Sequence, residues 1–231
     1  MIPNLIHAIW LGDKMPPLPH ACLDDWKKMG FDYCLWSDSN DRIQNWIDSC
    51  SFAKECYERG LYAFVSDYLR LKILQEEGGL YLDTDVTIRK DPFPLFSGAK
   101  FVIGYETGDY LGTAAIYAEP DSRILAELIR FYEDEIWRSP LYIGPQIATH
   151  LIKDRKLLEV ESCKLLPAEY FFPYQQEPIH FECPDESYLV HWFQHSWKDS
   201  RGMVFVKAKH LGVWGKLYVW QKYFFRGFSR G

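Results

Sequence analysis

The chain predicts an α/β fold, a single domain over residues 1–231 with a mostly parallel central sheet and helices on both faces. Three observations predict it. The 231 residues are enough for one large domain with a substantial core. Hydrophobic residues at 48% and charged residues at 25% are ordinary for a globular chain, and no repeat, low-complexity tract or Ser/Gly-rich linker divides it. Short β-branched apolar runs alternate with stretches of helical spacing, the pattern of βα units.

In chain order, Ile2 to Leu11 is an apolar run ending at Gly12 and the Pro16-Pro17-Leu18-Pro19 loop, which reads as a first buried strand. Phe31 to Trp36 reads as a second, closed by the polar cluster Ser37-Asp38-Ser39-Asn40-Asp41, which suits a helix start. Leu61, Phe64, Val65, Tyr68, Leu71 and Leu74 follow helical spacing, and Gly78-Gly79 sits where a helix takes its left-handed stop, so a helix is expected from about Leu61 to Glu77. Asp67 and Arg70, three residues apart, share a face of it. Leu80-Tyr81-Leu82-Asp83-Thr84-Asp85-Val86-Thr87-Ile88 then alternates as one strand, with Leu80, Leu82, Val86 and Ile88 on one side and Tyr81, Asp83 and Asp85 on the other.

Charge and cysteine usage narrow the classes. Residues 200–231 hold seven Lys or Arg and no acid, whereas residues 1–199 hold 19 basic against all 32 acidic residues, a division of +7 and −13. The segment Val213 to Arg226 interleaves large apolar groups with cations, which suits an anionic membrane surface or acceptor, or a C-terminal helix docked on the domain with snorkelling cations. Six cysteines without a Cys-x-x-Cys pair predict reduced thiols rather than a zinc or redox motif. No stretch reaches the length of a spanning helix and the start lacks a charged leader, so the expected location is the cytoplasm, with peripheral contact to the inner face of the membrane through the tail. No nucleic-acid partner is expected. Nine Trp, 15 Tyr and 15 Phe exceed ordinary packing needs; core packing is the expected use of most of them, and the rest offer faces for sugars or nucleobases.

The chemistry is concentrated at Asp83 and Asp85. Two carboxylates separated by one residue at a strand end repel each other unless a cation lies between them. Mg²⁺ and Mn²⁺ take such oxygen ligands, usually together with substrate phosphates, so a diphosphate substrate is implied. The pair follows an apolar strand at the C-terminal edge where α/β sheets bind ligands.

The run Ser66-Asp67-Tyr68-Leu69-Arg70, followed by Gly78-Gly79-Leu80-Tyr81-Leu82-Asp83-Thr84-Asp85-Val86, resembles the sugar-binding region of glycosyltransferase family 32, with its DXD motif; the family resembles in turn the catalytic domains of large glucosylating toxins. The opening Ile2 to Gly12, Gly144-Pro145, and Val190-His191-Trp192-Phe193-Gln194-His195-Ser196-Trp197 are similar to further family features in the same order. The resemblance implies a GT-A type, Rossmann-like fold and a metal-dependent hexosyltransferase, retaining anomeric configuration and acting in surface or capsular polysaccharide synthesis. Residues 1–110 would form the nucleotide-sugar half, 111–200 the acceptor half with the closing His-x-x-x-x-Ser-Trp, and 201–231 the basic aromatic tail. Asp83, Asp85 and His191 would hold Mn²⁺ or Mg²⁺. His195 stands where the family has a small residue, which leaves it as a rival ligand; spacing favours His191. Asp67 and Arg70 would bind the donor sugar's hydroxyls, with Ser66, Leu11 and Tyr81 beside them. Trp10 would stack on the nucleobase or belong to the core. Ser196 and Trp197 would cover the diphosphate, and Gly144-Pro145 would either end a strand or border the acceptor. A UDP-sugar is favoured as donor, GDP-mannose fits as well, and a glycan or lipid-linked oligosaccharide is the expected acceptor.

Two rivals remain. Asp83-Thr84-Asp85-Val86-Thr87 also spells the nucleophile motif of haloacid-dehalogenase-like phosphatases, with Asp83 attacking phosphorus, but that motif belongs on a first strand. A carbohydrate-binding protein without turnover is the other.

Overall fold

The computed structural model describes residues 4–12, 14–176, 181–194 and 203–228. The apolar opening segment forms β1 (Ile6–Trp10), shorter than the run that predicts it. α1 (Pro17–Lys28) starts at the proline loop, and β2 (Tyr33–Ser37) follows. α2 (Asp41–Ser49) is capped by Asn40, whose side chain accepts the Arg42 N–H, as its polar cluster predicts. α3 (Ser51–Glu58) leads into α4 (Tyr62–Glu77), which is buried round most of its circumference, Leu69, Arg70 and Ile73 included.

Gly78 and Gly79 take φ of 66° and 98°, a region other residues rarely adopt. Gly78 has ψ −172°, so it is not a left-handed helical stop; the chain leaves α4 extended and enters β3 (Gly79–Leu82) at once. The imidazole of His7 locks this turn. Its Nδ1 accepts from the indole Nε1 of Trp36 at 3.2 Å, so Nε2 carries the proton and donates to Gly78 O at 3.0 Å. Burial holds His7 below its usual pKa and therefore neutral.

The single strand expected from Leu80 to Ile88 is two strands. β3 ends at Leu82, and Asp83 N–H still bonds Ala114 O at 2.8 Å, but Val86 N–H turns back onto Asp83 O at 3.1 Å. β4 (Val86–Ile88) then belongs to another sheet. The alternation survives because the interruption is an odd number of residues, so Leu82 and Val86 keep one parity and pack in one cluster.

β5 (Phe101–Thr107) and β6 (Tyr110–Ala118) form a hairpin, α5 (Arg123–Arg130) and α6 (Gly144–Thr149) follow, and β7 (Cys163–Leu166), α7 (Ala168–Phe171) and β8 (Leu189–His191) complete the sheets. The main sheet runs β2-β1-β3-β6-β5-β7. Five strands run one way and β6 runs against them, since its pairings with β3 and β5 are antiparallel while the others are parallel. The smaller sheet is β4 with β8. One side of the main sheet packs Ile9, Tyr81, Phe101 and Ile116 against α2 to α5; the other packs Ile6, Ala8, Leu80 and Val102 against Trp26 of α1 and Phe171 of α7. α8 (Met203–Ala208) and α9 (Gly212–Phe228) close the described chain. All six cysteines are free thiols, as their spacing predicts, and burial raises Cys22 to about 12.

Candidate active site

At the C-terminal ends of β1 and β3 lies a cleft of about 460 Å³, within the usual range for a small-molecule site. Trp10, Leu11, Ser66, Asp67, Arg70, Tyr81, Asp83, Asp85 and His191 all line it, so nine expected residues from four separate segments converge. His195, Ser196 and Trp197 lie outside the described residues.

The turn that splits the two strands builds the acidic centre. Asp83 is carried by the end of the main sheet and Asp85 by the start of the smaller one. The antiparallel register pairs Val86 with His191, which brings the imidazole alongside Asp85. Its Nε2 is 3.3 Å from Asp85 Oδ1. One donor atom each from Asp83, Asp85 and His191 lies within 4.8 Å of the others. Two carboxylate oxygens and an imidazole nitrogen suit Mn²⁺, with Mg²⁺ a poorer match for the nitrogen. His191 Nδ1 is buried and has no hydrogen-bond partner among the described residues.

Burial opposes ionisation of Asp85, but the hydrogen bond and charge of His191 and the Gln194 N–H at 2.8 Å outweigh it and hold the carboxyl below its usual pKa. Burial would lower His191, yet Asp85, then Asp83 and Glu106, raise it overall. Each partner therefore favours the charged form of the other.

Asp83 is fixed from behind. The Tyr81 hydroxyl donates to its Oδ1 at 2.7 Å, and Arg70 Nη2 lies 3.3 Å from the same oxygen. Arg70 is itself buried and fully engaged: Nη2 pairs with Asp67 at 3.0 Å, Nε donates to Ser66 O at 3.1 Å, Nη1 donates to Thr113 O at 2.5 Å, and the guanidinium lies 4.7 Å from the Tyr81 ring centroid. Arg70 thus holds both Asp67 and Asp83, and Tyr81 reaches the cleft through Asp83.

Asp67 has a second anchor. Gly144 N–H donates to its Oδ2 at 3.0 Å, and a Cβ at Gly144 would come within 2.6 Å of Oδ1 and 2.8 Å of Thr113 Oγ1. Gly144-Pro145 therefore opens a helix and supports the cleft floor; it does not end a strand. Burial pushes Asp67 up to about 6, Asp83 adds to this, and Arg70 with the Gly144 N–H pulls against it. Trp10, at the end of β1, is half-buried on the cleft wall and its Nε1 has no partner among the described residues.

Sequence reading missed Glu106. It lies near the end of β5 and lines the cleft, where burial raises its pKa. No motif marks it, because a hairpin that returns beside β3 brings it in from sequence far beyond the Asp-x-Asp. Asp83 follows the third strand of the chain rather than the first, so the phosphatase arrangement is not the one built here.

Residues 20–102 match the family model described as the glycosyltransferase sugar-binding region containing the DXD motif. An uncharacterized glycosyltransferase of Acanthamoeba polyphaga mimivirus is 35% identical over 99 residues, covering 39% of this chain and 38% of that protein. The lactosylceramide 4-alpha-galactosyltransferase of Pan troglodytes is 30% identical over 128 residues, covering 51% of this chain and 34% of that one. Among solved structures, the PaToxG glycosyltransferase aligns with a TM-score of 0.47 at 19% identity, over 69% of this chain and 72% of that one. The chain spans well under half the length of these curated relatives. Asp83-Thr84-Asp85 is the one Asp-x-Asp triplet between residues 20 and 102. Residues 20–102 of this chain are thus similar to a glycosyltransferase sugar-binding region, and Asp83-Thr84-Asp85 is the triplet that matches the form of its DXD motif.

Proposed function

We propose that the chain binds a nucleoside-diphosphate sugar in this cleft, with a divalent cation on Asp83, Asp85 and His191, and transfers the hexose to a glycan hydroxyl with retention. The observation that carries this reading is the meeting of those three donor atoms within 4.8 Å, beside a buried Asp67–Arg70 pair. When bound, the cation supplies neutralisation of the charge that develops on the departing diphosphate. The chain's own part is positioning. Asp67 offers carboxylate oxygens to sugar hydroxyls, Arg70 orients Asp67 and Asp83, and Trp10 offers an indole face to the base, for which uracil is the favoured partner. The bond from the anomeric carbon to the diphosphate breaks as the acceptor oxygen bonds the same carbon from the same face. The acceptor's proton passes to the departing phosphate oxygen.

The test is a panel of UDP- and GDP-sugars with Mn²⁺, followed by melting temperature and by nucleoside-diphosphate release. A ligand that binds only the folded state must raise its stability. The expected result is a Mn²⁺-dependent rise and release with one donor class, both abolished in Asp85→Asn. Release that is unchanged in Asp85→Asn, or silence with every donor, overturns the proposal.

A further inference from the structure

Among the described residues, six of the eleven exposed large hydrophobic side chains lie between positions 211 and 220. They belong to the turn before α9 and to α9 itself. An ordinary docked surface helix turns its apolar stripe inward. α9 already has an inner contact: Gly215 is buried against α8, where any side chain would run into Ala208 O, and Val219, one turn on, packs against the main core. α8 is in turn held by the core, with Phe205 edge-on to Trp137 and under the guanidinium of Arg59.

The apolar groups on the opposite side therefore have a different use. Val213 and Leu217 are four residues apart and Trp214 and Leu217 three, so they share one face, away from Gly215 and Val219. Trp214 is 77% exposed, Val213 72% and Leu217 51%. Exposed Lys216 flanks this face on one side, and on the other Lys222 lies with its Nζ 5.5 Å from the Tyr218 ring centroid. Residues 203–228 contain five Lys or Arg and no Asp or Glu. No helix among the described residues is long and apolar enough to cross a membrane.

We propose that α9 lies in the plane of an anionic lipid surface, with Val213, Trp214 and Leu217 inserted among the acyl chains and Lys216 and Lys222 at the level of the headgroups. Apolar insertion and cationic attraction act on one helix there, and the long lysine stems let their charges reach the anionic headgroups. Residues 1–199 carry −13, so the same surface repels the body and the chain binds tail-first. A second copy is the less suitable occupant, since an isologous contact between two α9 faces sets cation against cation.

The full chain is floated with vesicles of phosphatidylcholine alone and of phosphatidylcholine mixed with phosphatidylglycerol, at low and high salt. Selective binding to the anionic vesicles is expected, weakened by salt. The Trp214→Ser/Leu217→Ser double variant and the Lys216→Glu/Lys222→Glu double variant should each bind about tenfold more weakly. Both variants alter exposed groups outside the cleft, so melting temperature and its response to UDP with Mn²⁺ should match the parent, which separates failure of this proposal from failure of the cleft reading. Absence of flotation, equal binding to neutral vesicles, or binding unchanged in both variants overturns it. So does vesicle-free dimerisation, measured by sedimentation velocity, that Trp214→Ser/Leu217→Ser abolishes.

Discussion

The cleft depends on side chains that touch other side chains before they touch any ligand. Tyr81 is buried with its ring under Arg70 and its hydroxyl on Asp83. Tyr81→Phe keeps the ring and removes the hydrogen bond, so its stability cost should be small, about 1 kcal/mol. Its effect on Mn²⁺ affinity in the presence of nucleotide should be larger, about 10–100-fold, because an outer partner orients the ligating carboxylate. Isothermal titration checks this, and unchanged affinity would show that Arg70 alone fixes Asp83. Asp67→Ala leaves the Arg70 guanidinium short of a buried partner and should destabilise the fold by about 3–5 kcal/mol in chemical denaturation. Gly144→Ala is a subtler probe of the same anchor: the added methyl would displace Asp67 or Thr113, and donor affinity should fall more than stability does. The aspartates, Arg70 and Trp10 were legible in sequence because each sits in a local motif or at a strand end. Glu106 was not, since only the return of β6 along β3 brings the hairpin that carries it to the cleft.

Among the elements, α4 with its diglycine exit was legible and the strand after it was not. Helical spacing and Gly78-Gly79 are local signals, and His7 reinforces them from a distant strand. Nothing local distinguishes a nine-residue strand from two short ones joined by an odd-numbered turn, because both keep the same side-chain parity. The second strand is assigned by its partner, β8, far along the chain. Gly79→Ala should cost about 1–3 kcal/mol, since φ is 98° and a Cβ would approach Leu5 O to 2.8 Å. The attachment of the C-terminal helices gives a pH prediction. Lys209 follows α8 and donates to Ile136 O at 2.6 Å and Ser139 O at 2.5 Å, yet burial lowers its pKa from 10.5 to about 8. The neighbouring Cys56 thiol is raised by burial and stays neutral in this range, so it does not restore the charge. Between pH 8 and 10.5 the unfolded chain binds the proton that the folded chain has released, so this lysine makes stability rise with pH, and its contribution is lost as pH falls through about 8. Melting temperatures across that window should climb in the parent relative to Lys209→Met; parallel curves would show that the two carbonyls keep the ammonium charged.

At the scale of the molecule, the division into a nucleotide-sugar half at 1–110 and an acceptor half at 111–200 describes the roles expected of the segments, whereas the strand order makes them physically inseparable. β6, almost entirely beyond residue 110, lies between β3 and β5, both of which precede it. Without it, Leu80 to Leu82 would lose their antiparallel partners Tyr117 to Ala115, Asp83 would lose the Ala114 carbonyl that ends β3, and Arg70 would lose Thr113 O. The smaller sheet crosses the same boundary, because β4 comes from the first half and β8 from the second. A fragment ending at 110 would expose the edge of β3 and strip each hydrophobic cluster of part of its packing partners, the condition under which strands pair wrongly or aggregate. The intact chain should therefore unfold in one cooperative transition, with calorimetric and van't Hoff enthalpies in agreement, and donor with Mn²⁺ should move that whole transition upward. Fragments 1–110 and 111–231 expressed apart should lack dispersed amide spectra, while a nearby cut made by protease in the Gly108–Asp109 turn of the folded chain should leave the two pieces associated. Two resolved transitions, or a folded 1–110 fragment that binds nucleotide alone, would show that the cleft is assembled within the first half and that β6 only covers it.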